Sequence, residues 1–161
     1  MALLEVRHLR VDLRTHRGSA PAVRDVGFTL ERGDTLGLIG ESGCGKSMTA
    51  LALMGLAPDN ATVSGSVRLN GQELIGLGDR GWRELRGNRI AMIFQEPMTA
   101  LNPVHRVGAQ IAEPLILHRG MTAAAARTRT IELMTRVGIP EPVRRVDSFP
   151  HQFSGGQRQR L

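Results

Sequence analysis

From residue 3 to residue 30 apolar and polar positions alternate loosely, with Leu4, Val6, Leu9 and Val11 apolar first, then Val23, Val26, Phe28 and Leu30. This predicts one strand over 3–11, near a sheet edge, and a second over 22–30. Thr15 to Pro21, rich in turn formers, reads as a loop between them. Glu31-Arg32-Gly33-Asp34 predicts a turn into a short apolar strand, Thr35-Leu36-Gly37-Leu38-Ile39. Met48 to Met54 reads as a helix, ended by Ala57-Pro58-Asp59-Asn60. A strand over 64–69 follows, and then Asn70-Gly71, a hairpin turn signal. Residues 79–86 read as a short charged helix around Trp82 and Leu85. Ile90 to Phe94 reads as a buried strand, stopped by Gln95-Glu96-Pro97.

From there the texture changes. Residues 107–117 and 122–137 both read as helices, the second with Thr122 as N-cap and Gly138 just past its end. Ala126, Thr130, Leu133, Met134 and Val137 fall on one side of it, the pattern of a packing face. Residues 139–150 form a proline-punctuated connection. A strand-rich part is thus followed by a helical part, with no internal repeat and no low-complexity segment.

Between the 35–39 run and the 48–54 helix stands Gly40-Glu41-Ser42-Gly43-Cys44-Gly45-Lys46-Ser47. The spacing G-x-x-x-x-G-K-S, set between a strand and a helix, is the P-loop pattern in its confirming context. Glycines let successive backbone N–H groups turn toward one point and make an anion nest. The helix behind, from Met48, adds its positive N-terminal end. Lys46 can reach the β- and γ-phosphates of a nucleotide, and the Ser47 hydroxyl can ligate Mg²⁺. A glycine-rich turn that binds nothing is the plain alternative, but spacing, the Lys-Ser pair and both flanks agree against it.

Composition adds two points. Lys46 is the sole lysine; the other 20 of the 21 Lys and Arg residues are arginine. A lysine is kept where a compact ammonium must fit among phosphates, and arginine's planar fork is no substitute there. The net charge of +6 and the pI near 11.3 raise nucleic acid or an acidic membrane surface as partners. The arginines are scattered, however, without a basic block or interleaved aromatics, so direct nucleic-acid binding is not expected. The one cysteine, Cys44, permits no internal disulfide and points to a reducing compartment. A helix N-terminus can activate a thiol, but a small residue at a variable loop position is the simpler reading of Cys44. Met1-Ala2-Leu3-Leu4-Glu5 meets charge at once and shows no signal peptide. No apolar run approaches the length of a membrane span.

A second glycine motif lies near the end, Phe153-Ser154-Gly155-Gly156-Gln157. Alone, Ser-Gly-Gly is an ordinary loop; behind a P-loop and a helical segment it carries weight. With it, the chain resembles the ATP-binding subunit of an ABC transporter, whose signature motif is usually Leu-Ser-Gly-Gly-Gln. Gln95, after the 90–94 run, is similar to the family's Q-loop glutamine. Phe94-Gln95-Glu96-Pro97-Met98-Thr99-Ala100-Leu101-Asn102-Pro103 resembles the oligopeptide/dipeptide and nickel importer subfamily, and Pro150-His151 fits too. A Walker B reading of 90–96 fails because an aspartate belongs where Gln95 stands.

The resemblance implies an α/β fold, a P-loop NTPase of the ABC type. Residues 1–96 would be the β-rich core with the P-loop, 97–153 the helical subdomain and 154–161 the start of the signature helix. It implies ATP and Mg²⁺ as cofactors. Gly40 through Met48 would hold the nucleotide, and Ser154, Gly155, Gly156 and Gln157 would face the γ-phosphate across a head-to-tail dimer. Gln95 would contact Mg²⁺ and the attacking water. A second ATP-binding subunit, transmembrane permease subunits and, indirectly, a solute-binding protein would be partners, at the cytoplasmic face of the inner membrane. A coupling helix of the permease would dock on the loop after Gln95 and the helical part. A non-transport ABC protein acting on nucleic acid or ribosomes, or a nucleotide-binding piece without hydrolysis, is the alternative. The family's adenine-stacking aromatic is matched here by Leu13, with His16 nearby, so the residues give no preference of ATP over GTP. The family's later helix, its strand ending in Asp-Glu, its switch histidine and its central strands do not fall within these 161 residues. Alone, these residues are expected to bind nucleotide without turning it over, and to be unstable or to aggregate.

Overall fold

The structure, a computed structural model, describes residues 2–94 and 100–161. They form two compact units, Met1–Arg86 and Gly87–Leu161.

The first unit is built on an antiparallel sheet in the order β2-β1-β3-β4. Its strands are β1 (Leu4–Thr15), β2 (Gly18–Leu30), β3 (Ala61–Leu69) and β4 (Gln72–Glu73). The first strand is therefore interior, not near an edge as its mixed polarity implied: it pairs with β2 on one side and β3 on the other. The expected Thr15–Pro21 loop also shrinks. Thr15 pairs with Gly18 across His16-Arg17, and Pro21 is already in β2, opposite Asp12. Proline is tolerated there because β2 is an outer strand, where a missing N–H breaks no ladder.

The loose alternation in β1 has a physical cause. A register shift lies between Val6 and Leu9, at His8, whose φ is 50°. The bulge rephases the strand, so Val6, Leu9 and Val11 all face the core, at 2%, 0% and 0% exposure. Asp25 on β2 also has positive φ, 51°, and its carboxylate lies 2.7 Å from His8 Nδ1. On the other flank Gly65, at φ 103°, lets β3 approach; a Cβ there would lie 2.4 Å from the His8 carbonyl oxygen. Asn70 and Gly71 take φ of 48° and 81° in the β3–β4 turn, as a two-residue hairpin requires.

Two helices complete this unit. Helix α1 (Lys46–Leu53) packs on β1 and β2. Helix α2 (Asp79–Leu85) buries Trp82 and Leu85. Trp82 fills the place of a side chain at Gly55: a Cβ there would lie 2.2 Å from the indole. Arg86 stacks over Trp82 at 4.8 Å and donates to the Met54 and Gly55 carbonyls at the end of α1.

Two expected strands do not form. Residues 35–39 and 91–94 carry no strand pairing and Ile90 makes only an isolated bridge; Ile39 and Ile93 are 100% and 96% exposed. An apolar run becomes a strand only through a neighbour's ladder of hydrogen bonds, and none among the described residues supplies one to either run.

The second unit is helical: α3 (Val107–Arg119), α4 (Ala123–Arg136), α5 (Pro142–Arg145) and α6 (Gly155–Arg160), with a 3-10 turn at Pro150–Gln152. The connection expected over 139–150 is thus partly ordered as α5. Its core is Val107, Met134, Ile139, Val146 and Phe153. Helix α3 has no side-chain cap; the Val107 and Gly108 amides donate instead to the carbonyls of Ser148 and Val146, both at 2.9 Å. That approach needs the glycine, since a Cβ at Gly108 would lie 2.4 Å from the Val146 oxygen. Thr122 caps α4 through its hydroxyl, which accepts from the Ala125 amide, and Gly138 follows at φ 71°. Ala126, Thr130 and Met134 are buried as the helical spacing implied, while Val137 is 38% exposed. Among the described residues no helix is long and apolar enough to cross a membrane.

Candidate functional site

The turn from Gly40 into α1 gathers the first set of candidate residues. Gly43 and Gly45 have φ of 82° and 96°. They reverse the chain so that Gly45, as N-cap, starts α1 without a side-chain cap. Only Thr49 among the early α1 amides is satisfied locally, donating to the Gly45 oxygen at 2.8 Å, with its hydroxyl on the same oxygen at 3.0 Å. The amides of Gly43, Gly45, Lys46, Ser47 and Met48 meet no acceptor among the described residues. These are the donors a helix start leaves for an anion.

Lys46 closes the loop over itself. Its Nζ donates to the carbonyls of Gly40 and Glu41 at 2.6 and 2.7 Å and lies 3.4 Å from Cys44 Sγ. The ammonium is thereby folded back across the mouth of the nest. A Cβ at Gly40 would lie 2.6 Å from the Cys44 sulfur, the end of an exposed side chain that can turn aside. Gly45 faces a harder wall: its Cβ would lie 2.6 Å from the Ala22 carbonyl of β2. Gly43 faces open space and is held only by its φ. Glu41, Ser42 and Ser47 are exposed. Beside the loop lies a cavity of about 480 Å³, lined by Val23, Ile39, Gly43, Gly45, Lys46 and Thr49 among others. That is within the range of small-molecule and cofactor sites.

Among the described residues there is no cluster of three or more His, Cys, Asp or Glu side chains that could hold a metal alone. A Mg²⁺ that arrives with a phosphate needs none; it keeps its waters and takes one or two protein oxygens. The exposed Ser47 hydroxyl fits that demand. Gln95, the other candidate metal contact, lies outside the described residues.

The second set, Ser154 to Gln157, belongs to the other unit. Phe153 is buried in the core, 3% exposed, and anchors the segment. Ser154 and Gln157 form a capping box: the Ser154 hydroxyl accepts from the Gln157 amide at 3.3 Å, and Gln157 Oε1 accepts from the Ser154 amide at 3.1 Å. So Gln157 spends its carbonyl oxygen on the turn itself. Gly155 and Gly156 are exposed, and a Cβ on either would meet nothing within 4 Å. Neither has positive φ. The packing of the described residues therefore demands no glycine at these two places.

Sequence reasoning missed three residues that hold these segments. Arg86 caps the far end of α1. Arg145, on α5, donates to the Gln152 carbonyl at 2.8 Å and to Gln157 Oε1 at 3.1 Å, with its guanidinium 4.5 Å over the Phe153 ring. Arg160 donates to the carbonyls of Val137 and Gly138, both at 2.9 Å, and to that of Gly156 at 3.2 Å. Spacing gave no signal for them, since one arginine among 20 looks like another.

The sequence profile described as "ABC transporter" matches residues 23–161. The oligopeptide transport ATP-binding protein OppD of Salmonella typhimurium is 50% identical over 159 residues, covering 99% of this chain and 48% of that protein. The dipeptide transport ATP-binding protein DppD of Lactococcus lactis is 49% identical over 160 residues, covering 98% and 46%. The chain spans about half the length of the curated relatives it matches. Among solved structures, the dimeric post-hydrolysis state of the ATP-binding cassette MJ0796 bound to ADP and Pi superposes with a TM-score of 0.81 at 26% identity, covering 98% of this chain and 66% of that one. With a glycine loop that leaves five amides free among the described residues, a Ser-Gly-Gly turn built on a capping box, and a profile match over residues 23–161, this chain belongs to the ABC transporter family.

Proposed function

We propose that the chain is the nucleotide-binding part of an ATP-binding subunit that energises import of peptides or a related small solute. The observation that carries this reading is the set of amides at Gly43, Gly45, Lys46, Ser47 and Met48 that meet no acceptor among the described residues, beside the Lys46 ammonium. A nucleotide's β- and γ-phosphates supply the acceptors that these donors lack. Lys46 would exchange the Gly40 and Glu41 carbonyls for phosphate oxygens, at little cost in conformation because its Nζ already crosses the mouth of the nest. Ser47 would offer its hydroxyl to Mg²⁺, which neutralises phosphate charge when bound. Gln95 would orient the attacking water.

The open faces of Gly155 and Gly156 support a partner's approach: glycines that no internal contact requires suit a surface that another molecule's phosphate must touch closely. Residues 1–96 are accordingly read as the nucleotide-binding core, 97–153 as the helical subdomain and 154–161 as the start of the signature helix. The signature residues Ser154 to Gln157 would face a nucleotide held by the P-loop of a second subunit. The dimeric state named for the MJ0796 cassette supports such pairing. The names of the curated relatives support a peptide cargo, and with it permease subunits and a solute-binding protein, at the cytoplasmic face of the membrane. Equilibrium binding of a fluorescent ATP analogue, with and without Lys46→Ala, tests the reading. Saturable binding lost in the variant is expected; equal binding by both would refute it.

A further inference from the structure

The signature turn is held by more than its own capping box. Gln157 Oε1 receives two donors, the Ser154 amide and Arg145 Nη1, both at 3.1 Å. Arg145 Nη2 takes the Gln152 carbonyl at 2.8 Å, immediately before the motif, and the guanidinium plane covers Phe153 at 4.5 Å. One half-buried side chain thus grips residues 152, 153 and 157 at once, on both sides of Ser154, Gly155 and Gly156. We infer that Arg145 is the positioning residue of this turn: it fixes the Gln157 amide with its oxygen toward Ser154, and so sets the direction in which Ser154, Gly155 and Gly156 face outward.

The chemistry is particular to arginine. Two forked donors and a stacking face are used together, and a lysine ammonium can replace one of the three contacts at a time. Without Arg145 the Gln157 amide loses a charge-assisted donor, and nothing else among the described residues discriminates its oxygen from its nitrogen except the Ser154 amide. Two small glycines then leave the turn free to drift, since Gly155 and Gly156 make no side-chain contact of their own. The inference rests on the reading of Ser154 to Gln157 as the face that meets a partner's nucleotide.

The test uses the whole protein assembled with its partner subunits, and reads steady-state ATP turnover together with thermal melting. Arg145→Ala and Arg145→Met are expected to lower kcat per folded molecule about tenfold while KM for ATP stays within about twofold, because the P-loop is untouched. Arg145→Lys should recover part of that loss. Arg127→Ala, which removes the Arg127–Asp147 ion pair of the same unit, should change melting without changing kcat. Ser154→Ala separates the two claims. If it lowers kcat and the Arg145 variants do not, the inference is overturned and the reading of the turn survives. If Ser154→Ala leaves kcat intact, the reading falls and the inference with it.

Discussion

At the scale of single residues, the P-loop glycines do different jobs, and substitution should separate them. Gly43→Ala adds a Cβ in open space at φ 82°, so it should cost only backbone strain, about 1–2 kcal/mol. Gly45→Ala adds the same strain and drives a Cβ against the Ala22 backbone, which cannot rotate away, so it should cost clearly more. Chemical denaturation of the two variants checks the order; equal losses would mean that the β2 contact is soft. Thr130 gives a test of opposite sign. It is fully buried, and its hydroxyl has no hydrogen-bond partner among the described residues. Thr130→Val keeps the shape and removes the orphaned polar group, so stability should hold or rise, by up to about 1 kcal/mol. A clear fall would show that the hydroxyl is satisfied after all.

Secondary-structure elements were legible wherever the signal was local. The Thr122 cap, the Gly138 stop and the Asn70-Gly71 turn each depend on a few neighbouring residues, and all were readable; α1 begins at Lys46, two residues before the expected Met48. The strands at 35–39 and 90–94 were misread because a strand is a relation between two segments, and apolar content reports only one of them. The interior place of β1 was hidden by the bulge at His8, which breaks the period of two. Helix α5 was hidden by its prolines, although Pro142 sits at a helix start, where its missing N–H costs nothing. At this scale Glu73 makes a pH prediction. Its carboxylate accepts from the amides of Val67, Leu74 and Ile75 and from the Ser66 hydroxyl, closing the β3–β4 hairpin. Burial opposes the charge, but these hydrogen bonds outweigh it and hold the carboxyl below the usual glutamate range. A depressed folded pKa contributes stability above the unfolded value, lost as pH falls through the folded one. The melting temperature of wild type should therefore fall more steeply than that of Glu73→Gln as pH drops through about 4; parallel curves would contradict it.

For the molecule as a whole, the two units each carry one glycine motif on a rigid support: α1, packed on β1 and β2 and capped by Arg86, for the P-loop, and a helical core with its arginines for Phe153–Gln157. The motifs stand out in the sequence as fixed residue types at fixed spacing. Their supports do not, because Arg86, Arg145 and Arg160 act across the fold at separations that no pattern encodes. Removing such a support should act at a distance: Arg86→Ala frees the Met54 and Gly55 carbonyls at the end of α1 and should cost about 1–3 kcal/mol, without touching the Gly40–Ser47 loop. On the proposed function, the loop from Gly40 to Ser47 binds nucleotide through free amides and one ammonium. The most direct measurement of this is the equilibrium affinity for ATP of wild type beside Lys46→Ala. Saturable binding by the wild type, lost at least about tenfold in the variant, is the expected result. Binding that survives Lys46→Ala unchanged, or no binding by either, would contradict the account.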